Sequence, residues 1–334
     1  MLGLFRNGLV ALCGIRVEQK ILRGGYQIAI KAYEIFDKKR IPTGTTPRPH
    51  PVSGVSKTGV AVVVPIYNAC EETAACITSI LRHTEFPYQL ILIDDASTDA
   101  RMRGILEGFA NAHPHLVIVY HEKNLGYTAT INEGCRLAGS DDVVLLNNDT
   151  RVTSRWLKKL RDCAKSRSHV ATVTPLSNAA GAFSIPRKNV NNRLVRGMTV
   201  DQMGAVVEKL SLKLRPSVPT GNGFCMYITR AALDAVGEFD AKNFPRGYGE
   251  ENDFCMRARQ RGFVHLIEDS TFIYHHRSAS AGMSRRDIAP RGVRRLNALH
   301  PEYGYLVMKW NAADPLDAFR VKLQATLDEW KFRT

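Results

Sequence analysis

Val60-Ala61-Val62-Val63-Val64-Pro65 is the stretch from which the fold can be read. It is short, apolar and rich in β-branched residues, and turn chemistry bounds it at Gly59 and at Tyr67-Asn68. Such a run, with no polar alternation, predicts a strand buried on both faces. Working outward, the spacing predicts a helix over 71–81, a second strand over 89–93 ending in Asp94-Asp95, and a helix over 101–112. A third strand follows over 116–120, a helix over 128–138, and a fourth strand over 143–146 that ends at Asn147-Asn148-Asp149. Strand and helix alternate at βαβ spacing, which predicts an α/β fold: a mostly parallel sheet with helices on both faces. Ligands on such sheets bind beyond the carboxyl ends of the strands. Each of the four strands here runs into polar residues, at Tyr67-Asn68, Asp94-Asp95, Asn124 and Asn147-Asn148-Asp149.

The alternation lapses after Thr150. Trp156, Leu157, Leu160, Cys163 and Ala164 mark a helix behind the N-cap candidate Ser154. Its polar face holds Arg151, Arg155, Lys158, Lys159, Arg161, Lys165 and Arg167. Residues 175–220 read as loop-rich, and 221–285 return to strands and short helices. A basic extension over 286–334 ends in a helix with Phe319, Leu323, Leu327 and Trp330 on one face. At the other end, residues 1–40 carry eight Lys/Arg against three acids, with apolar residues at helical spacing, and predict a basic amphipathic segment. Four prolines between 41 and 59 mark a linker.

The 334 residues are 44% hydrophobic and 23% charged, which excludes a wholly disordered, collagenous or coiled-coil chain. The longest charge-free stretch near the start, 7–15, is far short of the roughly 20 residues of a membrane span, and no cleavage site follows it. The expected location is the cytoplasm. Seven scattered cysteines (13, 70, 76, 135, 163, 225, 255) form no C-x-x-C pair, which argues against a disulfide framework or structural zinc site. The net charge of +14 implies a polyanionic partner: nucleic acid, an anionic membrane face or a phosphate-bearing substrate.

Four groups of residues offer chemistry. A carboxylate at Asp94-Asp95 can accept the N3–H of uracil or thymine, although Asp and Ser97 also suit a helix N-cap. Asn147-Asn148-Asp149 places a carboxylate beside amides at a strand end, where it can hold Mg²⁺ or Mn²⁺ against a diphosphate or simply form an Asx turn. Gly249-Glu250-Glu251-Asn252-Asp253 crowds three acids at a helix start. The helix dipole favours them, and their mutual repulsion raises a pKa toward that of a general base. His275-His276 follows an apolar run and supplies a metal-ligand candidate.

Together, Val-Val-Val-Pro-Ile-Tyr-Asn (62–68), Ile-Asp-Asp-Ala-Ser-Thr-Asp (93–99), Asn-Leu-Gly-Tyr (124–127), Asn132-Glu133-Gly134, Leu-Asn-Asn-Asp-Thr (146–150) and Gly-Tyr-Gly-Glu-Glu-Asn-Asp-Phe-Cys-Met-Arg (247–257) resemble family 2 glycosyltransferases in order and spacing. The resemblance covers about residues 60–282 and implies one GT-A domain over 60–285, with an inverting mechanism on a nucleotide-sugar donor. It implies that Pro65, Tyr67, Asp95 and Asn124, with Asn68, Gly126 and Asn148, line the nucleotide pocket. Asp149 matches the last residue of the family's Asp-x-Asp metal motif, whose first position here is Asn147, leaving one fewer anionic ligand for Mn²⁺ or Mg²⁺. Glu251 matches the catalytic base, one methylene longer than the commoner Asp, with Glu250 and Asp253 beside it. His275 matches a metal-binding His, with His276 as alternate. Asn222 and Gly223 match the acceptor side, and Pro175-Leu176-Ser177-Asn178 the pocket wall.

The 175–178 and 247–255 stretches resemble enzymes of bacterial O-antigens and capsules. That implies a UDP- or dTDP-sugar donor, dTDP-rhamnose first, and a glycan or lipid-linked glycan acceptor. Such an acceptor would place the enzyme at the inner face of the cytoplasmic membrane, where residues 1–40, the 151–167 helix and Arg285, Arg286, Arg291, Arg294 and Arg295 would meet anionic headgroups. A nucleotidyltransferase would need a Gly-rich phosphate loop after the first strand, and 65–70 contains no glycine. A non-catalytic basic module for glycan or nucleic acid, on a degenerate GT-A fold, explains the charge but not acids at strand ends, which repel phosphates unless a metal intervenes.

Overall fold

The computed structural model describes residues 59–114, 116–277 and 284–331. The basic segment 1–40 and the linker up to 58 lie outside them. The chain opens as β1 (Val60–Ile66), α1 (Cys70–His83), β2 (Gln89–Asp94), α2 (Arg101–Ala112), β3 (Val117–Tyr120), α3 (Tyr127–Leu137) and β4 (Asp142–Leu146). β1 pairs in parallel with both β2 and β4, and β2 with β3. All seven β1 residues are buried. Val60, Val62, Val64 and Ile66 face a core shared with α1, whereas Ala61 and Val63 face a second core shared with α3. Two covered faces are why the run shows no polar alternation.

The second half continues as β5 (Thr150–Arg151), α4 (Trp156–Ala164), β6 (Val170–Ser177), α5 (Val200–Leu210), β7 (Ser217–Val218), β8 (Cys225–Ile228), α6 (Arg230–Val236), α7 (Glu250–Gln260) and β9 (Val264–His275). The sheet order is β3-β2-β1-β4-β8-β6-β9-β5, with β7 beside β9. β5, β7 and β8 run against the other six strands, so the sheet is mixed but mostly parallel, as expected. Three helices close the chain: α8 (Ser284–Leu299), α9 (Tyr303–Ala313) and α10 (Asp317–Lys331). Phe319, Leu323 and Leu327 of α10 and Trp310 of α9 are buried in the larger core, and Trp310 Nε1 donates to the Ser217 carbonyl at 2.8 Å.

Three local expectations need correction. The residue that opens α4 is Arg155, in the left-handed region at φ 58 and with no side-chain cap, rather than Ser154. The stretch read as loop-rich contains α5, which starts with a reciprocal capping box between Thr199 and Gln202. Finally, the basic face of α4 is largely consumed within the protein. Arg155 and Lys159 both pair with Glu208 of α5, Lys158 pairs with Asp162, and the Arg161 guanidinium lies 4.6 Å from the Phe86 ring centre. The six described cysteines are free and buried. No helix among the described residues is long and apolar enough to cross a membrane.

Candidate active site

A cleft of about 680 Å³ opens beyond the carboxyl ends of β1, β2, β4 and β9. Pro65 and Tyr67 from β1 and its turn, Asp95 after β2, and Asn124 and Gly126 before α3 line one side. Asp95 organises that side. Its Oδ1 accepts the Leu125 N–H at 2.7 Å, its Oδ2 accepts the Gly126 N–H at 2.9 Å, and its carbonyl accepts Asn124 Nδ2 at 3.0 Å. Neither Asp94 nor Asp95 caps a helix: α2 starts behind Ala100, and Asp94 instead accepts the Ser97 N–H at 3.0 Å.

Behind Asp95 stands a group that sequence reading missed. His121 bridges Asp95 Oδ1 (2.7 Å from Nδ1) and Glu133 Oε2 (2.8 Å from Nε2). Burial pulls the imidazole's pKa down, but the two carboxylates together outweigh it, and the net shift is upward. A histidine whose folded pKa is raised stabilises fully below its unfolded value near 6.5, and that contribution is lost as pH rises through the folded pKa. The Tm should therefore contain a component that falls on the alkaline side of 6.5 and is absent from His121→Gln. Superimposable pH–Tm curves for the two proteins would remove this linkage.

At the far end of the cleft, Asp149 Oδ1 lies 3.2 Å from His275 Nε2. The Asp149 Oδ2 accepts the Arg277 N–H at 3.0 Å, and its carbonyl accepts the His276 N–H at 2.9 Å. Burial raises the Asp149 pKa, but the His275 contact and the Arg277 amide outweigh it and hold the carboxyl below its ordinary value. His275 Nδ1 lies 3.0 Å from the Ala179 carbonyl, an acceptor only, which places a proton on Nδ1 and leaves Nε2 to meet Asp149, as a donor here or as a ligand once a cation enters. Phe224 stacks on the ring at 5.4 Å. A carboxylate and an imidazole nitrogen this close could hold a divalent cation whose remaining ligands would come from a diphosphate. Among the described residues no cluster of three His, Cys, Asp or Glu forms. His276 turns away, its Nδ1 3.3 Å from Glu72.

Between these ends sits the acid pair. Gly249 precedes α7 at φ 138, where a Cβ would come within 2.6 Å of the Phe244 ring, so only glycine makes the turn. Its N–H is shared by Glu250 Oε2 at 3.1 Å and Glu251 Oε2 at 3.3 Å. Burial, and for Glu250 also the neighbouring Glu251 charge, pushes both carboxyls up, Glu250 the further. The two carboxyls titrate as one buried pair whose proton affinity lies above the ordinary glutamate range. Asn222 and Gly223 close this side of the cleft.

The model of the family described as glycosyl transferase family 2 matches residues 61–237. The chain belongs to that family. Over 242 residues, 66% of this chain and 77% of the relative, it is 24% identical to the N-acetylglucosaminyl-diphospho-decaprenol L-rhamnosyltransferase of Mycobacterium tuberculosis. A shorter match, 25% over 43% of this chain and 45% of the relative, is to the undecaprenyl-phosphate 4-deoxy-4-formamido-L-arabinose transferase of Pectobacterium carotovorum. Among solved structures, the mannosyltransferase PcManGT of Pyrobaculum calidifontis, with GDP-Man and Mn²⁺, is similar over 95% of this chain and 94% of its own at a TM-score of 0.51 and 17% identity. GalNAc-T7, with UDP, GalNAc and Mn²⁺, is similar over 77% of this chain at a TM-score of 0.54 and 14% identity, and the chain spans about half (54%) of it. These likenesses identify the fold as GT-A.

In this family 2 glycosyltransferase most of the expected site residues meet in the cleft, but Asn68, Asp253, the alternate His276 and the stretch 175–178 do not line it. Asn68 is absent from the lining. Its Oδ1 accepts the Thr98 and Asp99 N–H groups at 2.8 and 3.0 Å, tying the β1 turn to the β2 turn. Asp253 points to the opposite side of α7, held by Arg257 and His300. Asn148 reaches the lining while its Nδ2 donates to Thr73 Oγ1 at 2.8 Å. Pro175–Asn178 does not line the cleft either, but Asn178 accepts the His275 N–H at 2.8 Å and so fixes that ligand from behind. The glycosyltransferase also brings in residues not anticipated: Tyr127, Arg246, Tyr248 and Arg277. Tyr127 and Tyr248 stood inside quoted motifs, whereas nothing local marked the two arginines.

Proposed function

We propose that this chain is an inverting, metal-dependent glycosyltransferase that moves rhamnose from dTDP-rhamnose, or failing that a sugar from a UDP-sugar, to a hydroxyl of a lipid-linked surface-glycan precursor. The observation that carries the reading is one cleft holding a buried carboxyl pair on a shared Gly249 N–H, between a carboxylate–imidazole pair and the Asp95 side. Glu251 accepts the acceptor hydroxyl's proton as that oxygen bonds to the anomeric carbon. The bond from that carbon to the diphosphate oxygen breaks on the opposite face, and the nucleoside diphosphate leaves with the electron pair. Glu250, which shares the Gly249 N–H, orients Glu251. Asp95 meets the base, with uracil and thymine offering the same N3–H. Asp149 and His275 would hold Mn²⁺ or Mg²⁺, which neutralises charge on the leaving diphosphate. The mycobacterial relative, an N-acetylglucosaminyl-diphospho-decaprenol L-rhamnosyltransferase, supports a rhamnosyl donor and a lipid-diphosphate acceptor.

Calorimetric titration of UDP and dTDP, with and without Mn²⁺, tests the site, and incubation of dTDP-rhamnose with a GlcNAc-diphospho-lipid tests the reaction. Metal-dependent dTDP binding and a product heavier by one deoxyhexose are expected. Binding of neither nucleotide to folded protein would sink the reading and favour the non-catalytic module.

A membrane-borne acceptor also accounts for α8 and α9, which meet the protein through narrow stripes: Gly292, Leu296 and His300, then Leu306 and Trp310. Arg291, Arg294 and Arg295 are exposed beside Val293 and Met308, at 52% and 58% exposure. The side chains of Arg285 and Arg286 lie outside the described residues. The glycosyltransferase is expected to dock on the anionic cytoplasmic leaflet through this face. At about 1 kcal/mol per basic residue, reversing Arg294 and Arg295 to Glu should weaken co-sedimentation with phosphatidylglycerol vesicles at least tenfold. Equal sedimentation of wild type with purely phosphatidylcholine vesicles would argue against it.

A further inference from the structure

The first turn of α7 directs Glu250 and Glu251 to the cleft, and at 100° per residue the next two side chains, Asn252 and Asp253, turn away from it. Both are held by the C-terminal helices. His300, just past α8, donates from Nε2 to Asp253 Oδ1 at 2.8 Å, while Arg257 Nε holds Oδ2 at 2.8 Å. Tyr303, which opens α9, donates to Asn252 Oδ1 at 3.3 Å, an oxygen that also accepts from Thr220 at 2.9 Å. Just upstream, Gly292 of α8 lies against Tyr248, where a Cβ would come within 1.9 Å of the Tyr248 carbonyl oxygen. Tyr248 itself sits at φ 65, a left-handed conformation that a bulky residue keeps only when its surroundings impose it.

Two features separate this grip from simple attachment. The extension is anchored without it, through Trp310, Leu316, Phe319 and Leu323 in the main core. Moreover, His300 Nδ1 is buried and makes no hydrogen bond among the described residues. An unpaired buried nitrogen costs stability that an apolar side chain would not, so the imidazole at 300 is explained by what Nε2 holds.

We infer that the C-terminal helices are part of the catalytic machinery: His300 and Tyr303 are positioning residues that act through Asp253 and Asn252 to fix the turn presenting Glu251 to the acceptor. This role rests on the transferase reading above. The test combines steady-state kinetics with hydrogen exchange on the full chain. His300→Leu should lower kcat by about 10- to 100-fold with donor KM little changed, and the 247–256 peptides should exchange faster while those of β1 do not. His300→Gln, which keeps an N–H donor, should restore kcat to within about threefold of wild type, and Tyr303→Phe should cost about two- to tenfold.

Unchanged kcat in folded His300→Leu, or kcat and donor affinity falling together, would overturn the role. Should His300→Leu not fold, unchanged kcat and exchange in Tyr303→Phe would overturn it equally. Wild type that transfers no sugar would instead sink the functional reading and this role with it. That failure is recognisable because the exchange differences between variants would remain.

Discussion

Glu251→Gln is expected to lower kcat by about 10²–10⁴ while leaving nucleotide affinity within about twofold of wild type. Glutamine keeps the volume and can still meet the Gly249 N–H that Glu251 shares with Glu250, but it cannot accept a proton. The loss should therefore appear in the chemical step alone. Glu250→Gln makes an informative partner. It removes one acid of the pair but keeps an amide that can still hydrogen-bond Glu251, and should be the milder change. The pH profile supplies a second arm. Because burial raises Glu251, the acid limb of kcat/KM should lie above the ordinary glutamate value near 4.3. Transfer at wild-type rate by Glu251→Gln would move the base elsewhere.

Asp149→Ala should abolish most of the difference that Mn²⁺ makes to nucleotide binding. Replacing an outer-shell partner of a metal ligand costs about 10- to 100-fold in metal affinity, and removing the carboxylate itself should cost no less. Asn147 stands where a second acid is commoner, so little protein charge is left to compensate. Asp149→Asn keeps the shape and an oxygen for the Arg277 N–H, which isolates the lost charge from any local rearrangement. Metal-dependent nucleotide affinity unchanged in both variants would take Asp149 out of the site.

What the sequence carried was mostly what local chemistry can write. β1 was legible because a strand covered on both faces has to be uniformly apolar, and the strand-end polar residues did converge on one cleft. The antiparallel insertion of β8 between β4 and β6 was not legible, because pairing partners some 54–85 residues apart leave no mark on either strand. The same holds for His121, whose role exists only because β2 and α3 bring Asp95 and Glu133 to its two nitrogens. Asn68 and Asp253 were placed in the site by their neighbours in the motif. One residue of chain rotates a side chain to the other side of a helix or turn, and motif membership does not record which way it points. The helix at Val200–Leu210 is the exception that reading could have caught, since Thr199 and Gln202 spell a capping box.

The position of β4 in the sheet has a consequence for how such an enzyme diversifies. Up to β4 the chain is a self-similar series of parallel units carrying the side assigned to the donor base. Beyond it, joined through the opposed strand β8, lie the acid pair, His275 and the helices that brace them. The family match ends at residue 237, before any of these. Inheritance can hold the first half nearly constant while the second drifts toward new acceptors, because first-half side chains such as Asn132 and Thr128 grip the second half by its main chain, at Phe239 and Phe244, contacts indifferent to its own side chains there. A chimera that exchanges residues 238–331 between relatives, and not one that exchanges the strand-end motifs of the first half, is where a change of acceptor should be sought.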